Sequence, residues 1–334
     1  MRTLLMIILV AAAAWSGYWY VGSTGATHAF ETWFEDRRAE GWVADYAELT
    51  TRGFPNRFDT TFTEIALADP ETGLAWEAPF FQLFALSYRP NHIIAVWPND
   101  QLLASPLQKY EITSDDLRAS LVTRATPQLP LDRLTLTGQA LTLAAEGEDQ
   151  PTRIGTLTLG AERLAGADSG YRLGLRADGV APALDWRVRI DPGGKLPETF
   201  EALQVDMAVT FDKPWDLSAI EDARPQPRRI DLRLAQATWG RLDLQAAGEV
   251  QVDAAGNPDG KIVIKARNWR EILRLAVESG ALPAGFADTL EDGLSLVSQM
   301  AGNPKTLDIP LTLRNGTVRL GPVPIGPAPV LRLR

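Results

Sequence analysis

The chain has 334 residues, of which 45% are apolar and 22% are charged, and its formal net charge is −9. This composition is typical of a globular protein and excludes disorder or a collagen-like structure for the chain as a whole. The negative charge disfavours nucleic acid as a partner, because phosphate backbones attract basic proteins. The chain contains no cysteine, which excludes thiolate metal sites, thiol catalysis and disulfide bonds.

The N-terminal segment has the composition of a membrane span. Residues 3–30 include no charged side chain if His28 is neutral, and the apolar run Leu4–Trp15 lies within them. About 20 apolar residues cross a bilayer, so residues 1–26 are predicted to be a transmembrane signal anchor. Arg2 precedes the run and aromatic residues follow it, which indicates an N-terminus in the cytoplasm. These aromatic residues are Trp15, Tyr18, Trp19 and Tyr20.

A cleaved signal peptide is the alternative, because a short basic segment before an apolar run also begins secretory signals. However, the residues that follow Ala14, WSGYWYVGSTG, do not favour cleavage, and Ala26-Thr27-His28 is a poor cleavage site. The predominance of arginine over lysine and the lack of cysteine favour a bacterial periplasmic protein. In both cases residues 27–334 are expected in the periplasm. Without cleavage the protein is a single-pass protein of the inner membrane, with a periplasmic β-rich domain formed by residues 27–334.

The segment after the span is predicted to be helical. Over residues 27–41, one helix face carries Phe30, Trp33, Phe34 and Arg37, and a glycine ends the pattern. This helix is expected either to pack on the first strands or to lie at the membrane surface.

Most of the following chain alternates apolar and polar residues with a period of two. Clear examples are residues 171–175, 185–190, 205–211, 230–234 and 242–252. Strands with one dry and one wet face are typical of antiparallel sheets. The more fully apolar runs 81–88 and 93–97 are predicted to be central strands.

Turn and helix signals complete the outline. Residues 253–260 and the Asn315–Gly316 pair predict hairpin turns, and residues 212–229 form a candidate internal boundary. Asn268 is expected to cap a helix over 269–280, and a second helix is predicted from Pro283 to about Ala301. A strand pair over 306–320 and a proline-rich tail follow. The predicted fold is therefore α+β and mainly antiparallel β, with an N-terminal transmembrane helix, a long curved sheet or sandwich, and a helical pair near the C-terminus.

Chemistry-bearing motifs are missing from the sequence. Only two histidines occur, His28 and His92, and neither belongs to a zinc-binding pattern. The sequence lacks a nucleophile elbow, a Walker loop and a dinucleotide-binding fingerprint, and Pro258 stands where a calcium loop needs glycine. We therefore assign no catalytic, metal-binding or cofactor-binding residue, and expect no cofactor.

Aromatic residues are dense between positions 54 and 97. Either they form a core, or they line an apolar groove, because the dry face of a sheet must be covered by another sheet, a helix or a ligand. For a membrane-tethered protein, lipid is the available apolar ligand. The residues predicted to line an apolar ligand-facing surface are Phe58, Phe62, Trp76, Phe84, Trp97, Trp186 and Trp239.

Three stretches carry a resemblance to a known family: Arg52–Pro98, Arg267–Trp269 and Ile309–Pro329. They resemble an uncharacterised alphaproteobacterial family of membrane-anchored envelope proteins, a domain of unknown function, over nearly the whole chain. The run Gly248–Ile264 is loosely similar to AsmA-like β-rich proteins, and this resemblance implies lipid handling between membranes. The first resemblance implies no activity and no catalytic residues.

Three functional hypotheses follow from these observations. The first is a lipid-binding or lipid-transfer role in the cell envelope, with membrane lipid as the partner. The second is a structural or assembly factor that docks an envelope protein partner without catalysis. The third is a hydrolase of envelope polymers, for which the sequence offers only scattered carboxylates. We expect the first, and we expect that the protein is not an enzyme.

Overall fold

The computed structural model describes residues 1–221, 223–280, 282, 285, 291–292, 294–295 and 306–333. The chain divides into two compact units. Unit 1 comprises residues 1–125 and 136–147, and unit 2 comprises residues 126–135 and 148–334. The segment 212–229, the candidate boundary in the sequence, lies within unit 2.

Unit 1 begins with one long helix, α1 (Arg2–Ala39). It is long and apolar enough to span a membrane, and its N-terminal part is not buried. The helix predicted after the span is the last part of α1, and it packs on the first strands of the unit. The strands of unit 1 are β1 (Val43–Asp45), β2 (Glu48–Arg52), β3 (Arg57–Asp69), β4 (Leu74–Leu86), β5 (Arg89–Val96), β6 (Asp100–Ala104), β7 (Lys109–Thr113), β8 (Asp116–Thr123) and most of β9 (Leu131–Ala145).

All the strand pairs of unit 1 are antiparallel. The long strand β3 pairs with β1 and β2 on one side and with β4 on the other. Strand β4 pairs with β5 and β6, and β5 also pairs with β8. The two apolar runs predicted to be central strands are β4 and β5, and this prediction is confirmed. The core of the unit lies between α1 and this sheet, around Phe34, Phe62 and Ile65.

Unit 2 contains the start of β9 and a continuous antiparallel meander. Each strand from β10 to β18 pairs with the next one along the chain. The strands are β10 (Thr152–Arg163), β11 (Gly170–Asp178), β12 (Ala202–Phe211), β13 (Pro227–Trp239), β14 (Leu242–Val252), β15 (Pro258–Arg267), β16 (Thr306–Arg314), β17 (Thr317–Leu320) and β18 (Val323–Pro327). The predicted hairpins at 253–260 and 315–316 are confirmed by the β14–β15 and β16–β17 registers.

The helices of unit 2 whose bounds fall within the described residues are α2 (Leu184–Ile190), α3 (Ser218–Glu221) and α4 (Trp269–Glu278). Helix α4 confirms the predicted helix after Asn268. The second predicted helix, from Pro283 to Ala301, lies largely outside the described residues. The strand predicted over 185–190 is wrong, because these residues form α2. Packing of Trp186 on Phe200 and Trp239 outweighs a two-residue alternation that is only six residues long.

The mainly antiparallel fold class with a long apolar N-terminal helix is thus confirmed. The residues of two hairpin turns show how the sequence favours antiparallel pairing. Asp253 accepts hydrogen bonds from the backbone N–H groups of Ala255 and Asn257 at 2.9 and 2.8 Å. In the other hairpin, Asn315 and Gly316 both have positive φ, at 51° and 69°, as a two-residue hairpin turn of the primed type requires.

Candidate apolar binding site

A cavity of about 600 Å³ lies in unit 2. Strands β11, β12 and β13 supply seven of its fifteen lining residues, and the others come from β9 and β10, from the loop residue Trp215 and from residues 330–333. This volume falls within the range of about 300–1,000 Å³ that is usual for ligand pockets. The lining residues are Leu131, Leu134, Ala161, Tyr171, Leu173, Met207, Val209, Phe211, Trp215, Pro227, Ile230, Val330, Leu331, Arg332 and Leu333.

The strand registers explain why these side chains converge. Residues two apart along a strand point to the same face, so Met207, Val209 and Phe211 line one row. Antiparallel pairing sets Tyr171 opposite Val209, and Leu173 opposite Met207. The alternating apolar residues of neighbouring strands therefore combine into one continuous apolar wall.

The polar group at the floor of the cavity is the hydroxyl of Tyr171, and it has hydrogen-bond partners within the protein. Tyr171 is 1% exposed, and its hydroxyl accepts a hydrogen bond from the backbone N–H of Trp215 at 3.2 Å. The same hydroxyl donates to the carbonyl oxygen of Leu131 at 3.5 Å. Burial raises the pKa of the Tyr171 phenol above its ordinary value, so it is neutral at physiological pH. The floor thus offers apolar surface without a charged group.

The C-terminal segment closes one side of the cavity and is held at two points. The backbone N–H of Leu331 donates to the carbonyl oxygen of Gly256 at 2.8 Å. The side chain of Gln226 forms two hydrogen bonds with the backbone of Leu333, at 2.8 and 3.0 Å. Gly256 has a φ of +88°, and a Cβ atom there would come within 2.9 Å of Val330. A glycine at this position therefore allows the segment to lie close against the β14–β15 turn.

The residues that the sequence assigns to an apolar surface are distributed over both units. In unit 1, Phe58 and Phe62 lie beneath α1. Phe58 stands 6.1 Å from the ring of Trp19, and Phe62 contacts both Phe30 and Phe34 with ring centroids 5.3 and 5.6 Å apart. Phe62 is 2% exposed, so its present neighbours are core residues.

Three more of these residues lie on the sheet of unit 1. The indole N–H of Trp76 donates a 2.7 Å hydrogen bond to the side-chain oxygen of Gln101. The guanidinium of Arg57 lies over the ring of Phe84 at 5.9 Å. Trp97 is half-buried. Their proposed role in a ligand surface stays a prediction.

The last two residues of the predicted set belong to unit 2. Trp186 and Trp239 stack with their ring centroids 5.7 Å apart, and Phe200 stacks on Trp239 at 4.5 Å. The indole N–H of Trp239 donates to the carbonyl oxygen of Pro197 at 2.7 Å. These residues form an aromatic cluster of their own, and none of them lines the cavity around Tyr171.

Sequence reasoning identified the dry faces of β11 and β12 but not the cavity. The signal was present as the alternation at residues 171–175 and 205–211. The sequence does not show which strands pair, or that residues 330–333 return to the same place. The cavity became recognisable only with the register of three strands and the path of the C-terminal segment.

Metal chemistry has no evident place among the described residues, where no group of three His, Asp or Glu side chains could hold a metal ion. The acidic turn after β14 is explained by its own hydrogen bonds. Donation from the side chain and the backbone of Asn257 lowers the pKa of Asp253 below its ordinary value. His92 bonds to the hydroxyl of Ser120 at 2.9 Å, as part of the sheet.

The fold defines a β-rich protein with an N-terminal helix that is able to span a membrane and an apolar cavity in its second unit. The family model described as "Uncharacterized protein conserved in bacteria (DUF2125)" matches residues 19–329. The chain therefore belongs to this family, which confirms the resemblance to an uncharacterised bacterial family. No curated protein and no solved structure matches the chain.

Proposed function

We propose that this protein binds lipid in the bacterial cell envelope and takes part in lipid transfer there. The observation that supports the proposal most directly is the apolar cavity of about 600 Å³ in unit 2. Apart from Arg332, its lining residues are apolar or aromatic. The hydroxyl of Tyr171, its one phenol, is already bonded to backbone partners. Such a wall suits an acyl chain, because burial of apolar surface stabilises binding by about 25 cal/mol per Å².

The proposal places α1 in the inner membrane and residues 27–334 in the periplasm. Arg2 at one end of the apolar run and the aromatic residues at the other support this orientation. The continuity of α1 supports an uncleaved anchor. Cleavage near residue 26 would remove the hydrogen bonds that Trp15, Tyr18 and Trp19 donate to unit 1. The proposal includes no catalytic step.

The test is native mass spectrometry and lipid extraction on the full chain, purified from bacterial membranes in mild detergent. Stoichiometric phospholipid or fatty acid is expected with the native chain. Met207→Trp fills the cavity and is expected to reduce the bound lipid severalfold. Thr210→Trp is the matched control, because Thr210 lies on the same strand and is exposed; it should retain the lipid. A native chain without lipid, or equal loss in both variants, would contradict the proposal.

The second candidate function is the docking of an envelope protein partner. One observation favours it: β18 exposes Val323 and Ile325, which are 53% and 55% exposed. Because Pro324 and Pro327 lack an N–H group, this strand is a poor template for strand addition, and docking would use its side chains. Crosslinking in cells, followed by mass spectrometry, should return one stoichiometric partner that is lost in Val323→Asp/Ile325→Asp.

A further inference from the structure

The N-terminal part of α1 that makes no contact with the sheet determines how far the sheet of unit 1 lies from the start of the helix. Residues 1–14 are exposed, and the first hydrogen bond from α1 to the sheet comes from Trp15. The thirteen helical residues Arg2–Ala14 rise about 20 Å, whereas the hydrocarbon core of a bilayer is about 30 Å thick. A span by α1 therefore has to include residues up to about Tyr20. The segments of unit 1 that are hydrogen-bonded to Trp15–Tyr20 would then lie at the membrane surface.

Two turns of unit 1 are attached there. The indole N–H of Trp15 donates to the carbonyl oxygen of Pro55 at 3.0 Å, and that of Trp19 donates to the carbonyl oxygen of Arg57 at 2.8 Å. The hydroxyl of Tyr18 donates to the carbonyl oxygen of Ser87 at 2.6 Å. We call the residues Arg52–Arg57 and Ser87–Arg89 the turn rim.

The turn rim exposes aromatic side chains at this level. Phe54 and Tyr88 are 57% and 61% exposed, although Phe54 also makes an edge contact with Trp19 at 5.4 Å. Tyr20 on α1 is 68% exposed. Tyrosine and other amphipathic aromatic side chains are enriched at the interface between membrane and water, so their exposure here matches a headgroup environment.

The same end of the sheet is basic in a protein that is acidic as a whole. Arg52 ends β2, Arg57 begins β3 and Arg89 begins β5, and all three are exposed. Arg57 pairs with Asp59, whereas Arg52 and Arg89 form no ion pair within the described part of the chain. Guanidinium groups bind phosphate through two parallel hydrogen bonds. The opposite end of the sheet carries acidic residues instead, including Asp69 at the end of β3 and Glu71 in the β3–β4 turn.

We infer that the turn rim is a membrane-binding surface that recognises anionic phospholipids of the bilayer crossed by α1. Phe54 and Tyr88 insert among the headgroups, and Arg52 and Arg89 bind their phosphate groups. The inference rests on the anchoring of α1 that is part of the proposed function, but it does not use the cavity of unit 2. It assigns the membrane contact to unit 1 and fixes which end of the sheet faces the lipid.

The absence of cysteine from the chain makes a depth measurement direct. Single cysteines introduced by Phe54→Cys, Tyr88→Cys, Ile8→Cys and Leu107→Cys are labelled with bimane in the full chain, reconstituted in liposomes of phosphatidylcholine and phosphatidylglycerol. Leu107 is the control at the far end of unit 1, where it is 93% exposed. Lipids that carry a nitroxide near the headgroup should quench the labels at 54 and 88, but not the label at 107.

The label at Ile8 separates the possible failures. Nitroxides deep in the acyl chains should quench it if α1 is inserted. Quenching at 8 without quenching at 54 and 88 would overturn the membrane-binding surface and leave the anchor intact. No quenching at 8 would overturn the anchor and the inference together. In both cases the lipid content of the cavity, measured on the native chain, is decided separately.

The arginines are tested by the lipid preference of the full chain. Spin-labelled phosphatidylglycerol should associate with the native chain more strongly than spin-labelled phosphatidylcholine. Arg52→Gln/Arg89→Gln is expected to reduce this preference by up to about fivefold for each arginine. Arg118→Gln is the matched control, because Arg118 pairs with Asp116 and lies outside the turn rim. An unchanged preference in the double variant would overturn the role of the arginines.

Discussion

The hydroxyl of Tyr18 donates a 2.6 Å hydrogen bond to the carbonyl oxygen of Ser87, and Ser87 has no exposed surface. This bond joins the N-terminal helix to the residue that follows β4. A buried carbonyl group that loses its partner costs about 1–3 kcal/mol. The contact therefore contributes to the stability of unit 1 as well as to the position of the helix.

Tyr18→Phe is expected to lower the free energy of unfolding of the full chain by about 1–3 kcal/mol, because it leaves the carbonyl of Ser87 unpaired. Denaturant unfolding in detergent micelles measures the change. The control is Tyr20→Phe, since the hydroxyl of Tyr20 has no hydrogen-bond partner in the described residues; it should change stability little. Equal effects of the two variants would show that the Ser87 contact does not matter.

Gly22 allows α1 to approach the sheet closely. A Cβ atom at Gly22 would come within 2.6 Å of the ring of Phe58, whereas a Cβ atom at Gly25 meets nothing within 4 Å. Gly22→Leu is therefore expected to cost about 1–3 kcal/mol of stability through overpacking. Gly25→Leu removes a glycine from the same helix without a clash and should be neutral or stabilising. Thermal unfolding of both variants compares the two positions, and a stable Gly22→Leu variant would contradict the close approach.

The pair formed by Arg172 and Asp206 predicts a dependence of stability on pH. The guanidinium donates to both carboxylate oxygens at 2.9 and 2.8 Å, and this bonding lowers the pKa of Asp206 below its ordinary value of 3.8. Because the folded-state pKa is the lower one, the contribution is complete above about pH 4 and is lost as the pH falls through the folded-state pKa. Both side chains are partly exposed, so the effect is small.

Arg172→Gln is accordingly expected to lower the thermal midpoint slightly at neutral pH and to make no difference once Asp206 is protonated. The measurement is a series of melting curves from neutral to strongly acidic pH. Arg133→Gln controls for the loss of one positive charge, because Arg133 is exposed and forms no ion pair within the described part of the chain. A deficit in Arg172→Gln that persisted unchanged in strong acid would exclude the ion pair as its cause.

The C-terminal segment beside the cavity should become more mobile when its hydrogen bonds to the side chain of Gln226 are removed. Gln226→Ala deletes both hydrogen bonds to the backbone of Leu333. The bond donated by the amide N–H of Leu333 contributes about 1 kcal/mol, so we expect this amide hydrogen to exchange about fivefold faster. Hydrogen exchange followed by mass spectrometry measures it. Gln251→Ala is the control, because Gln251 bonds to the side chain of Glu249 and not to this segment. Unchanged exchange would show that the Gly256 contact alone holds the segment.

The sequence predicts the secondary structure of this protein better than its packing. Alternation at 205–211 and the Asn315–Gly316 turn depend on neighbouring residues, and both are as predicted. The strand predicted at 185–190 fails because Trp186 gains more from stacking on Phe200 and Trp239 than a six-residue alternation can specify. Local pattern and tertiary packing compete there, and packing decides.

The candidate site shows the same difference between what the local sequence predicts and what depends on contacts distant in the chain. Tyr171 and Met207 are recognisable in the sequence as members of dry strand faces. Their meeting depends on the pairing of β11 with β12, and the closure of the cavity depends on Leu331 reaching Gly256 across the intervening strands. Phe62 is likewise recognisable in the sequence as apolar, but its packing beneath α1 depends on the course of that helix. Composition marks a residue as apolar but does not say which element covers it.

The unbroken course of α1 from Arg2 to Ala39 has a mechanical consequence. Because the helix is bonded to the turn rim and packed along the sheet, its apolar N-terminal part and the rest of unit 1 have to turn together. Strand β4 has 13 residues and extends about 40 Å from the turn rim. A tilt of about 20°, the average for transmembrane helices, would swing the far end of this strand sideways by about 14 Å. In the proposed membrane orientation, the helix would take a different tilt in a bilayer of different thickness. The direction of unit 1 would therefore change with the thickness of the membrane.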